Sequence, residues 1–175
     1  MKTRACYLVA AFLALASPLV AQAGQSDRSL PSTPQGLLGL LAGTWHFDLY
    51  AQGSTGPIAS GQREMRLWAD SMKLTWTETF VGQSKTGTGI LGYNAATGAY
   101  YVLGALERQP SPMILIGRAD SSGHAVVFDA GSTEIRVARP GVYTTSELRL
   151  IDADRFEWVT LDGSWRGVFN RVGHS

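Results

Sequence analysis

From Lys73 to Phe80 the chain reads Lys-Leu-Thr-Trp-Thr-Glu-Thr-Phe, with Leu74, Trp76, Glu78 and Phe80 at one parity and Lys73, Thr75, Thr77 and Thr79 at the other. Successive side chains of a strand point to opposite faces, so this order separates an apolar face from a polar one only when the chain is extended. Comparable runs occupy about 43–52, 61–69, 86–94, 99–107, 112–119, 124–129, 134–139, 143–151, 155–161 and 164–172, and no helix-length amphipathic pattern follows Gly43. Turn residues stand between them, among them Gly53-Ser-Thr-Gly56-Pro57, Asn94-Ala-Ala-Thr-Gly98, Asp120-Ser-Ser-Gly123 and Asp162-Gly163. Short strands spaced this regularly predict an all-β sandwich or barrel. About ten antiparallel strands leave two raw edges unless the sheet closes, and closure needs only short hairpins. The spacing therefore predicts one domain over 34–175, an antiparallel up-and-down β-barrel.

What precedes the strands reads as an address and a helix. Met1 to Ala23 carries Lys2 and Arg4, an apolar stretch from Cys6 to Ala16, then Pro18 and the triplet Ala21-Gln22-Ala23, the pattern of a signal peptide cut after Ala23. A bilayer core needs about 20 apolar residues and this run breaks at Ser17-Pro18, so periplasmic or secreted export with no membrane anchor is expected. Cleavage would remove the single cysteine and leave 13 Lys and Arg against 14 Asp and Glu, a net charge of −1. The expected mature chain thus has no disulfide, thiol catalysis or cysteine-bound metal, and near-neutrality removes the electrostatic case for a nucleic-acid partner. Residues 24–33 are polar and aperiodic, a disordered leader. Ser32-Thr33-Pro34 then sets a capping hydroxyl before a proline, and Leu37, Leu38, Leu40 and Leu41 follow at helical spacing. One short helix results, too apolar to be left in water.

Leu41-Ala-Gly43-Thr-Trp45, a short helix running into G-x-W at the first strand, resembles the start of the calycins, the superfamily of lipocalins and fatty-acid-binding proteins. Thr86-Gly-Thr-Gly-Ile-Leu-Gly-Tyr-Asn-Ala-Ala-Thr-Gly-Ala-Tyr100 is similar to the G-x-x-G-Y-D-x-x-T-G-x-Y hairpin of the bacterial domain-of-unknown-function family 1579, with Asn94 where that family more often has Asp. Phe169-Asn-Arg171 is similar to the family's final strand, so the likeness spans about residues 37–172. The resemblance implies a lipocalin-like barrel with no agreed activity. It also implies that Arg171 covers Trp45 from the last strand, and that Trp45, Arg171, Gly92, Tyr93 and Gly98 are architectural. On the residues alone, an inward Arg171 is costly unless it stacks on a ring and donates to carbonyls, and the rival reading makes it an anion ligand inside the barrel.

Little nucleophilic or metal chemistry is legible. Gly87-Thr-Gly89-Ile-Leu-Gly92 fits G-x-G-x-x-G with Glu107 twenty residues after Gly87, but a turn follows where a dinucleotide site needs a helix amino terminus. His46, His124 and His174 have no metal-ligand spacing, and no G-x-S-x-G elbow supports an enzyme. No catalytic residue, metal or cofactor is assigned. The candidate lumen residues are Trp45, Phe47, Arg63, Met65, Leu67, Trp76, Glu78, Phe80, Tyr101 and Trp158, with Leu103 and Phe169 beside them. Glu78 stands out, because a carboxylate among Leu74, Trp76 and Phe80 must be paired, hydrated or protonated. Either it bridges Arg63, which shares a face with Met65 and Leu67, or it anchors a ligand or works as a general acid/base. Arg63 could equally receive a ligand carboxylate.

The reading that follows is an exported barrel holding a small, mostly apolar molecule in its lumen. Three others stay open: a calycin-type enzyme, a haem-binding barrel of the nitrobindin kind using His174, and a filled barrel acting as a structural or interaction module. Monomer and homodimer stay open as well.

Overall fold

The structure, a computed structural model, describes residues 30–70, 72–82, 86–107, 112–130 and 145–173. The expected signal peptide, most of the leader, the run at 134–139 and His174 lie outside them. One helix, α1 (Pro34–Leu41), precedes ten strands: β1 (Gly43–Ala51), β2 (Ala59–Leu67), β3 (Lys73–Phe80), β4 (Thr86–Asn94), β5 (Ala99–Leu106), β6 (Met113–Ala119), β7 (Ala125–Ala130), β8 (Ser146–Leu150), β9 (Arg155–Thr160) and β10 (Trp165–Arg171). Each strand pairs antiparallel with its neighbours in sequence, and β1 pairs with β10, so the sheet closes into a barrel.

Register sets the interior. Along the β1–β10 seam Trp45 lies opposite Arg171, Phe47 opposite Phe169 and Leu49 opposite Gly167. Between β2 and β3, Arg63 lies opposite Glu78 and Met65 opposite Trp76. Trp45, Phe47, Met65, Leu74, Trp76, Phe128, Leu148, Phe156, Trp158 and Phe169 are all buried in one core. Because β1 runs away from α1 and the strands alternate in direction, Trp45, Leu74, Tyr100 and Arg171 lie toward the helix end, and Phe80, Ser146, Thr160 and Gly167 toward the other.

The helix forms where the capping signals place it: Thr33 Oγ1 accepts from the Gly36 N–H at 3.1 Å, with Pro34 at the first position. Before the helix, Ser32 packs against Gly123 in the turn between β6 and β7, while the helix runs out directly into β1. Those two places lie on opposite sides of a ten-stranded ring. The helix therefore crosses the barrel end and buries Leu37, Leu38 and Leu41 in it. Each such leucine contributes about 2 kcal/mol relative to exposure in water. Arg171 fastens the far end of the helix, donating from Nη1 to the Ala42 carbonyl at 2.9 Å and from Nη2 to the Leu40 carbonyl at 2.5 Å. Helix termini leave carbonyls without partners, and this guanidinium supplies them.

Three expected lumen residues are corrected. Tyr101 and Leu103 point outward, because β5 turns Tyr100, Val102 and Gly104 inward instead; Leu103 is 42% exposed. The Tyr101 ring covers Gly92 from outside, so closely that any Cβ on Gly92 would collide with it. Leu67 has the inward parity of Met65 but sits at the end of β2, where it is 37% exposed. Asn94 braces the β4–β5 turn by accepting the Ala96 N–H at 3.0 Å, and Gly98 closes it with φ of 63°.

Candidate functional site

Among the described residues the interior carries one ion pair between neighbouring strands, and local sequence explains its place. Arg63 follows Gly61 and precedes Met65 on the inward parity of β2, and Glu78 lies between Trp76 and Phe80 on that of β3. Register makes them direct cross-strand partners. Arg63 donates to a single carboxylate oxygen, Glu78 Oε2, from Nε at 2.9 Å and from Nη2 at 2.5 Å. The Arg63 side chain is 12% exposed and Glu78 is 5% exposed. Burying two charges costs several kcal/mol per ion, about what good pairing geometry has to offset. Part of the offset comes from rings: the Arg63 guanidinium carbon stands 4.9 Å from the centroid of Trp76 and 4.7 Å from that of Phe169.

The pairing leaves hydrogen-bonding capacity unused. Among the described residues, neither Nη1 of Arg63 nor Oε1 of Glu78 has a hydrogen-bond partner, and the same holds for the indole N–H of Trp76. Yet no fully buried side-chain nitrogen or oxygen among the described residues lacks one. None of the three atoms is therefore wholly shut off, although Glu78 and Trp76 are only 5% and 4% exposed. Two donor groups and an acceptor thus stand without a partner among the described residues in an otherwise apolar, aromatic wall.

That wall is built from rings laid along the sheet. Trp76 lies against Gly89 and Gly104 of β4 and β5, where any side chain would strike the indole. Phe156 and Phe169 stack at 4.3 Å between centroids, 7° from parallel, and Trp45 meets Phe156 edge-on at 4.8 Å. Phe47 packs against both Phe80 and Phe169, at 5.3 and 5.6 Å. Across the barrel Trp158 stacks on Phe128 at 5.5 Å and donates from Nε1 to Ser146 Oγ at 3.0 Å. Trp45 is occupied differently: its Nε1 donates to the Leu41 carbonyl at 2.9 Å, and the Arg171 guanidinium covers its ring.

Sequence reasoning missed Tyr100, Phe128, Ser146, Phe156 and Thr160. Parity held the signal for Phe128 and Phe156, which lie two residues from Val126 and Trp158. Ser146 and Thr160 are buried polar residues that pair across β8 and β9, a register no local pattern gives. Tyr100 stands toward the helix end, 5.0 Å from Tyr93 between centroids, and burial pushes its phenol up to about 12, with Tyr93 adding to the effect.

Elsewhere the candidates separate. Gly87, Gly89 and Gly92 lie inside β4, which ends in a turn, so no helix amino terminus follows them. His46 is on the outer face beside Asp48, 3.5 Å away, and Ser60 Oγ donates to the same carboxylate at 2.5 Å. Among the described residues no three His, Cys, Asp or Glu side chains gather as metal ligands would, and no helix is long and apolar enough to cross a membrane. Compared with protein-family models, the chain matches none. A search of curated proteins likewise finds no match.

Proposed function

We propose that this protein is an exported, lipocalin-like barrel that holds a small, mostly apolar molecule in its lumen, with Arg63 and Glu78 orienting the ligand's polar end. One observation carries the reading: inside a closed barrel of aromatic walls, Nη1 of Arg63 and Oε1 of Glu78 have no hydrogen-bond partner among the described residues, and neither is wholly shut off. A barrel designed only to be filled gains by satisfying every interior polar group, because unpaired ones weaken it. The ring cluster of Trp45, Phe156 and Phe169 lies toward α1, so the reading places the ligand on the other side of Arg63. Apolar tails suit such a wall, and a few polar atoms fix orientation.

Native mass spectrometry of protein purified from the periplasm of an expressing bacterium tests this. The expected spectrum contains a small-molecule adduct that leaves on mild activation, and the stripped protein takes up Nile red with quenching of tryptophan fluorescence. A bare polypeptide mass together with no Nile red uptake would overturn the proposal.

A further inference from the structure

We propose that the lumen selects an uncharged head group able both to donate and to accept hydrogen bonds, a primary amide being the simplest, over a carboxylate or an ammonium on the same tail. The inference rests on the luminal-ligand reading above and adds the chemistry of the ligand's polar end.

Charge, and the atoms already bonded, decide which head group fits. On the inward parity of the described strands the only charged residues are Arg63, Glu78 and Arg171. Arg171 is committed at the helix end, to the carbonyls of Leu40, Ala42 and Ala153 and to Asp154. Among the described residues, the strands beyond it therefore turn one cation and one anion inward, already paired. A ligand carboxylate would bring a second negative charge beside Glu78, with the Nε–H and one Nη2–H of Arg63 already given to Glu78 and a single positive charge left to serve two anions. In a low-dielectric interior, like charges that share one counter-ion repel strongly, and one of them must leave or take up a proton. An ammonium meets the mirror-image problem at Arg63. An amide meets neither: its N–H suits Glu78 Oε1, and its carbonyl suits Arg63 Nη1 or the Trp76 indole N–H, directly or through water.

The test uses decanamide, decanoate and decylamine, one tail with three heads, displacing Nile red from the protein as purified, at mildly alkaline pH where the acid and the amine are both ionised. The expected order places decanamide at least about tenfold tighter than either ion. In Glu78→Gln the guanidinium loses its counter-charge, and decanoate becomes the preferred ligand. Decanoate or decylamine binding the unmodified protein as tightly as decanamide overturns the inference, and this comparison decides the matter even if Glu78→Gln does not fold. Unchanged ligand order in a folded Glu78→Gln protein overturns it too. If Nile red binds and none of the three displaces it, the head-group inference falls while the luminal reading stands. If Nile red does not bind, both fall.

Discussion

The guanidinium carbon of Arg171 lies 4.2 Å from the ring centroid of Trp45, and the two residues face each other directly across the seam where the last strand meets the first. The same guanidinium holds the two carbonyls at the end of α1, so closure of the sheet and closure of the barrel end depend on one side chain. A planar fork does what a point charge does not: it stacks on an indole while donating in several directions at its edge.

Arg171→Lys keeps the charge and loses the fork. The expected loss of stability is about 2–4 kcal/mol, read as a lower midpoint in urea with an unchanged slope. A change within about 0.5 kcal/mol, the size of an ordinary surface substitution, would show that the stacking and the carbonyl bonds do not fasten the seam.

Two glycine substitutions should act in opposite directions. A Cβ on Gly89 collides with the Trp76 ring and with the Leu103 carbonyl, so Gly89→Ala is expected to cost about 1–3 kcal/mol. A Cβ on Gly39 of α1 meets nothing within 4 Å, so Gly39→Ala should stabilise by about 0.5–1 kcal/mol through the unfolded chain. Thermal unfolding of the two variants checks the pair, and a common sign would contradict the ring placement.

The buried ion pair makes a third expectation. Glu78→Leu leaves the Arg63 charge without its partner and should cost about 3–5 kcal/mol, whereas Arg63→Met with Glu78→Leu should recover most of that. The double variant then separates two roles, because it should fold well and yet fail to retain a polar-headed ligand. Urea unfolding and Nile red competition on the same samples measure both. Equal stability of the single and double variants would contradict a coupled pair.

Alkaline pH should expose Tyr100. Its phenol ionises at about 12 in the folded protein against 10.0 for an unperturbed tyrosine, so the folded state holds the proton more tightly than the unfolded chain does. The contribution is complete below about pH 10 and is lost as pH rises toward about 12. Tyr100→Phe should flatten that part of the stability profile relative to the unmodified protein, measured as the difference between their urea midpoints. Parallel profiles would contradict the burial argument.

Alternation explains which parts of this account the sequence carried. In Lys73–Phe80 polar and apolar residues separate cleanly by parity, so Trp76 and Glu78 are legible as interior residues before any pairing is known. The run from Ala99 to Leu106 is apolar at both parities, with two adjacent tyrosines, and there only pairing with the neighbouring strands decides the inward face, setting Val102 opposite Leu91 of β4 and Leu115 of β6. Leu67 shows a different limit: parity gives the face of a strand but not the height along the barrel axis. The seating of Trp76 on glycines from two other strands depends on non-local register, and no window of sequence contains it.

The most direct test of a ligand-holding interior is nitrogen-detected NMR of the arginine Nε–H and tryptophan indole N–H signals during titration with Nile red. Movement of the Arg63 and Trp76 signals is expected, with the Trp45 indole, held by the Leu41 carbonyl, left in place. Silence at Arg63 and Trp76, with shifts confined to the outer face around Tyr101, Leu103 and Ile116, would contradict it.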